Sequence, residues 1–114
     1  MVTTELLKRA NAARMNAYAP YSHFQVGASV LTKSGKIFDG CNVENASFGA
    51  TICAERGAIT SAVAAGHKEI MAVLIAISGE KICPPCGLCR QFIAEFNENC
   101  KIYLANTLKI VQTY

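Results

Sequence analysis

Two cysteine-bearing segments, Thr51-Ile52-Cys53-Ala54-Glu55-Arg56 and Pro84-Pro85-Cys86-Gly87-Leu88-Cys89-Arg90, constrain this chain more than any other feature. Their thiols can meet only if the chain between them leaves one point and returns to it. The intervening pattern provides such a path. Thr51 to Ala65 is alanine-rich, with Ala58, Ile59, Ala62 and Val63 on one helical stripe and Gly66 placed to end the helix. Met71 to Ile77 is continuously apolar, which predicts a central strand covered on both faces. Gly79 to Pro85 reads as a loop, and a second helix runs from about Cys86 to Asn97, with Leu88, Phe92 and Phe96 recurring along it. If the strands before these helices feed right-handed crossovers in one sheet, both helix starts emerge at the carboxyl edge of that sheet. Cys53 then lies in the first turn of one helix, and Cys86 and Cys89 in the first turn of the other. Two positive helix ends aimed at three sulfurs favour the thiolate form, which is the form that binds metal.

The rest of the chain completes an α/β pattern. Thr3 or Thr4 can cap a first helix carrying Leu6, Ala10, Ala13 and Ala17 on one face, ended by Pro20. Tyr18 to His23 is loop. Phe24 to Thr32 reads as a strand with Val26, Ala28 and Val30 on its buried face, and Ser34-Gly35 turns it into a second strand over Lys36 to Gly40. Cys41 to Ala50 is a long polar loop. Lys101 to Ala105 and Leu108 to Thr113 form a final antiparallel hairpin. The expected architecture is three-layer α/β/α, a mixed five-stranded sheet with helices on both faces, in one domain over 1–114.

Composition narrows the function classes. Of 114 residues, 52% are hydrophobic and 17% charged, so the chain has apolar surface to give to a subunit interface. The net charge of +3 comes from scattered basic residues rather than a basic, aromatic-interleaved patch, which argues against a polymeric nucleic-acid partner. Met1 to Lys8 has no leader pattern and Ile70 to Ile77 is too short to span a bilayer, so a soluble cytoplasmic protein with no membrane partner is expected. In a reducing cytosol, six cysteines at close spacings favour metal ligation over disulfides.

Cys86-x-x-Cys89 alone would fit a zinc knuckle or a redox dithiol. Cys53 and Glu55 sharpen it. Three cysteines with a non-ligand glutamate, the second half written Pro-Cys-x-x-Cys, form a signature of zinc enzymes that deaminate nucleobases. A metal with three protein ligands keeps a fourth position for water and acidifies it. Cys83 permits a rival, a closed structural zinc on Cys53, Cys83, Cys86 and Cys89, which leaves Glu55, Asn42 and Glu44 unexplained. Cys41 and Cys100 read as small, buried or half-buried residues, His23 as a variable loop position, and His67 as solvated surface.

The chain resembles the small, homotetrameric type of cytidine deaminase. The resemblance runs from Tyr18-Ala19-Pro20-Tyr21-Ser22-His23-Phe24-Gln25-Val26-Gly27-Ala28 through Gly40-Cys41-Asn42-Val43-Glu44-Asn45-Ala46-Ser47 to the two cysteine segments. It implies a deaminase fold, Zn2+ on Cys53, Cys86 and Cys89, and Glu55 as proton shuttle between water, N3 of cytosine and the departing amino group. It also implies Asn42 and Glu44 as binders of ribose hydroxyls, Phe24 as an aromatic wall beside the base, and the Ala54 backbone as a contact to the pyrimidine. Three thiolates oppose the acidification of a bound water, so a nearby cation is needed, and Arg56 is the candidate. The product would be uridine or deoxyuridine with ammonia, from a free nucleoside partner. Alternatives are deamination of another aminopyrimidine such as blasticidin S, or a zinc-stabilised binding module without turnover. Two departures from the family pattern are Phe48, where tyrosine is common, and an end at Tyr114, where relatives continue into a tail whose aromatic residue helps close the site.

Overall fold

A computed structural model describes residues 2–77, 87–97, 99–106 and 110–113, without the side chains of 2, 48, 87–90, 111 and 112. In chain order the elements are α1 (Val2–Arg14), β1 (Val26–Thr32), β2 (Ile37–Cys41), a 3-10 turn (Phe48–Ala50), α2 (Ala54–Ala64), β3 (Ile70–Ile77), α3 (Gly87–Phe96), β4 (Lys101–Ala105) and β5 (Ile110–Thr113). The five strands form one sheet in the order β2-β1-β3-β4-β5. β1 is antiparallel to β2 and β3, β3 is parallel to β4, and β4 is antiparallel to β5. The sheet is therefore mixed, with five strands as the sequence pattern predicts.

Period-two alternation divides the core into two layers. Val73, Ile75 and Ile77 of β3 join Val26, Ala28 and Val30 of β1, Leu104 of β4, and Ala54, Ala58, Ile59 and Ala62 of α2 in one buried cluster, with Ile93 of α3. Ala72, Leu74, Ala76 and Ala105 point to the other face and meet Leu6 and Ala10 of α1. One helix covers one face and two cover the other. Because both faces are covered, β1 is buried along nearly its whole length rather than on alternate residues alone. Its second face includes Ser29, fully buried, whose hydroxyl donates to the Leu6 carbonyl at 2.7 Å. That bond satisfies a polar group that would otherwise be expensive to bury.

β2 and β3 are both antiparallel to β1, so they run parallel to each other. Their carboxyl ends align, since Cys41 pairs with Gly27 and Gly27 pairs with Ala76. Both strands thus end at one edge, where the chain turns toward α2 and α3. The α2 helix docks tightly over β2 at Gly40. A Cβ built there would lie 2.5 Å from the Ala58 nitrogen and 2.8 Å from the Ala54 carbonyl oxygen. At its other end α2 closes as expected at Gly66 (φ +96), with His67 N–H donating to Ala62 C=O and Gly66 N–H to Val63 C=O, both at 2.9 Å.

Several boundaries differ from expectation. The α1 helix begins at Val2, so Thr3 and Thr4 lie inside its first turn, and it ends at Arg14 rather than near Pro20. Its exit is set by a distant partner: the Tyr18 N–H bonds the Asn42 carbonyl at 3.0 Å instead of a helix carbonyl. The buried line on α1 is Leu6, Ala10 and Arg14, four residues apart, with Ala13 only half-buried. β1 starts at Val26 because the Phe24 backbone is engaged by side chains, as described below. His67 is half-buried rather than free on the surface: its ring lies 5.4 Å from that of Phe38 and its Nδ1 is 3.2 Å from Ser34 Oγ.

Candidate active site

Local structure at the carboxyl edge follows from a short extended segment. Val43 exchanges both backbone hydrogen bonds with Ile52, at 2.9 and 2.8 Å, and on its other side Glu44 N–H donates to Tyr18 C=O at 2.8 Å. Residues 42–44 are therefore clamped between the segment leaving α1 and the one entering α2. Successive side chains in extended backbone alternate, so Asn42 and Glu44 share one face while Val43 points away. The pairing also ties this segment to Ile52, the residue just before Cys53 and the start of α2.

Cys53 is the N-cap of α2, with extended backbone (φ −75, ψ 153), and α2 begins at Ala54. Among the described residues its thiol makes no capping bond to the helix, so the sulfur is not committed to holding the helix end. Arg56 Nη2 lies 3.9 Å from that sulfur and donates to the Thr51 carbonyl at 2.8 Å, so a cation is fixed beside the thiol. Glu55, in the first turn, is only 5% exposed, and Ala54 is 1% exposed. The positive end of α2 lies under both the thiol and the carboxylate. Cys41 and Cys100 differ in kind. Burial, then the Asp39 charge, pushes the Cys41 thiol up, and burial alone pushes Cys100 to about 11. Both stay protonated near neutrality and are poor metal donors there.

A soft thiol with an adjacent fixed cation at a helix start suits a thiophilic metal such as zinc, so the described part of the donor set fits that ion. The expected partners Cys86 and Cys89 lie outside the described residues, as does Cys83 of the four-thiolate alternative; only the Cys89 backbone, within α3, is described. α3 starts beyond the carboxyl end of β3, the same edge at which α2 starts.

Asn42 is 9% exposed and is bound to the backbone of the segment entering β1. Its Oδ1 accepts from Val26 N–H at 2.9 Å and its Nδ2 donates to Phe24 C=O at 2.8 Å. This structural role was not visible in the sequence. One N–H and one acceptor site on the carboxamide remain. Asn42→Ala strips both backbone partners, and we expect a loss of about 1–3 kcal/mol in chemical denaturation. Unchanged stability would show that water replaces the side chain there. Phe24, 40% exposed, is thereby tied to Asn42 through its carbonyl.

Glu44 lines a cavity of about 320 Å3 together with Tyr21, Ser22, Asn45, Ala46 and Thr51. Its carboxylate accepts from Tyr21 N–H at 3.0 Å, from Ser22 N–H at 3.1 Å and from the Ser22 hydroxyl. The Ser22 hydroxyl and then the Ser22 amide hold this carboxyl below its ordinary range; desolvation opposes them less strongly, and the Tyr21 amide and the His23 charge add smaller lowering effects. A carboxyl lowered by folding stabilises the fold above its ordinary titration range, and that contribution is lost as pH falls. Acidification should accordingly loosen the 20–24 loop first, which amide exchange across an acid titration would detect.

A family model described as the cytidine and deoxycytidylate deaminase zinc-binding region matches residues 2–105. The chain belongs to this family. Among the deaminase relatives, a cytidine deaminase of Halalkalibacterium halodurans is 46% identical over 102 residues, covering 89% of this chain and 77% of the relative. The crystal structure of a cytidine deaminase from Burkholderia pseudomallei superposes with a TM-score of 0.92 at 44% identity, covering 100% of this chain and 92% of that one. A blasticidin-S deaminase of Bacillus cereus is 33% identical over 117 residues, covering 96% of this chain and 83% of the relative. The deaminase architecture thus agrees with the fold expected from the motifs.

Proposed function

We propose that this chain is a zinc-dependent deaminase that hydrolyses free cytidine and 2′-deoxycytidine to uridine and 2′-deoxyuridine with release of ammonia. The observation that carries the reading is the Val43–Ile52 pairing, which ties the segment bearing Asn42 and Glu44 to the one that leads into α2, where Cys53 and the buried Glu55 stand. Metal-type and hydroxyl-binding side chains share one edge there. Cys53, Cys86 and Cys89 would hold zinc, which when bound lowers the pKa of a water molecule and so makes a nucleophile at neutral pH.

The chain's own residues supply the remainder. Glu55 takes a proton from water and delivers it to N3, which draws electrons from C4 and opens it to attack. Once the water oxygen has added to C4, the same carboxylate takes the remaining proton from that oxygen and passes it to the amino group, so the C4–N bond breaks and neutral ammonia leaves as the C4 carbonyl forms. Burial suits this role, because a carboxyl screened from bulk water keeps the proton between its two sites. Arg56 offsets negative charge at Cys53. The Ala54 backbone, at the start of α2, contacts the pyrimidine, and Phe24 flanks the base. The free acceptor at Glu44 and the donor on Asn42 engage the 3′-hydroxyl that both nucleosides carry.

The protein works as one domain over 1–114 and as a homotetramer, supported by the exposed apolar side chains of Tyr18, Tyr21, Val43 and Ile52 around the cavity. It acts in the cytoplasm, in nucleoside salvage, on a free nucleoside rather than a nucleic-acid polymer. Among the described residues no helix is long and apolar enough to cross a membrane. The test is loss of cytidine absorbance with matching ammonia release, run beside blasticidin S. Turnover of cytidine is expected; turnover of blasticidin S alone would favour the other aminopyrimidine, and zinc-loaded protein inert toward both would leave a binding module. Full zinc content in Cys83→Ser is expected as well and would exclude the four-thiolate site.

A further inference from the structure

The cavity, the apolar rim, the Ser34–His67 pair and the cysteines outside the site each offer less than one polar cluster, the cap that residues 21–24 place on Glu44. A carboxylate has about four acceptor positions, two on each oxygen. Oε1 is filled by the Tyr21 and Ser22 amides. One position on Oε2 is filled by the Ser22 hydroxyl, which leaves a single position open. The hydroxyl has one proton, and its direction is fixed: Phe24 N–H donates to Ser22 Oγ at 3.0 Å, so the serine proton points at Glu44. His23, at φ 60, makes the reversal that folds the Phe24 amide back onto Ser22. The same Phe24 carries on its carbonyl the bond from Asn42. One serine therefore connects the residue beside the base with both groups assigned to the sugar.

We propose that Ser22 is a positioning residue for sugar recognition: its hydroxyl locks the Glu44 carboxylate in the one rotamer that leaves a single Oε2 acceptor for the nucleoside 3′-hydroxyl. Without that bond Oε2 is free to turn toward water, and the ribose must order it on binding. The proposal rests on the reading of Glu44 as a sugar-binding group. The cost falls on substrate binding and is the same in ground and transition states, so it enters KM and leaves kcat.

The experiment compares cytidine with 2′,3′-dideoxycytidine, which lacks the hydroxyl, on wild type, Ser22→Ala, Ser22→Thr and Glu44→Gln. For Ser22→Ala we expect KM for cytidine to rise about fivefold to tenfold, as for one lost hydrogen bond, with kcat within twofold. KM for the dideoxynucleoside should stay at the wild-type value, a selectivity that general loosening of the loop would not produce. Ser22→Thr, which keeps the hydroxyl, should restore KM for cytidine. Equal KM increases for both nucleosides in Ser22→Ala, or wild-type kinetics in that variant, would overturn the proposal. If wild type and Glu44→Gln already treat the two nucleosides alike, the sugar-binding reading of Glu44 fails and takes the proposal with it.

Discussion

Replacing Glu55 by Gln is expected to lower kcat for cytidine by about 10²–10⁴-fold while zinc content stays at the wild-type level. The size follows from what a positioned proton carrier contributes. Glutamine keeps the volume and the acceptor oxygen at a position that is only 5% exposed, so the fold and the thiol of Cys53 should be undisturbed. In the proposed mechanism, what disappears is the ability to accept a proton from water and return it to the base. Thermal unfolding near the wild-type midpoint, equal metal content and a collapsed turnover rate would together assign the loss to proton transfer. A Glu55→Gln variant within a few-fold of wild type would remove this residue from the mechanism, since no neighbour two or three positions away on α2 offers an equivalent carboxylate.

The second large effect is expected at Gly40, which carries no reacting group but seats the start of α2. An added Cβ would press on the Ala58 nitrogen at 2.5 Å and on Ala54 O and Gly57 C at 2.8 Å, all main-chain atoms that cannot rotate aside. α2 must then lift from β2. Overpacking of this kind costs about 1–3 kcal/mol, and backbone contacts put Gly40→Ala at the upper end. Because Cys53 and Glu55 ride on the start of the same helix, kcat should fall along with stability; displacement of a catalytic group by about 1 Å can cost about 10²-fold. Gly49→Ala is the matched control, as nothing lies within 4 Å of its added Cβ. It should leave the unfolding midpoint close to wild type. Equal midpoints for the two variants would mean that α2 has more freedom over β2 than this packing implies.

The elements were legible because local chemistry fixed them. The uninterrupted apolar run of β3, the alanine stripe of α2 and Gly66 at its end each state their structure within a few residues. The common carboxyl edge of β2 and β3 was legible as well, because two strands each followed by a crossover helix in one sheet must run parallel. Other features had no local signal. Pairing of Val43 with Tyr18 joins segments 25 residues apart, and it is this pairing that draws the chain away from α1 and, with the Val43–Ile52 pair, ties residues 42–44 to the approach to α2. Asn42 reads as a sugar-binding candidate, but nothing local marks its second role, the two bonds to the Phe24 and Val26 backbone. Arg14 was hidden by its charge, although it continues the Leu6–Ala10 line and its long side chain can be largely covered. Ser22 lies in a stretch that reads as loop, and the signal that marks it is Ser-His-Phe before a strand with Glu44 across from it.

The central claim is that a water oxygen replaces the amino group of cytidine at this edge. The most direct measurement is mass analysis of the product formed from cytidine by the zinc-loaded protein in water enriched in heavy oxygen, with ammonia determined on the same sample. The account predicts uridine carrying one solvent oxygen in its base and one ammonia for each uridine formed. Cytidine recovered unchanged, or uridine without solvent oxygen, would contradict it.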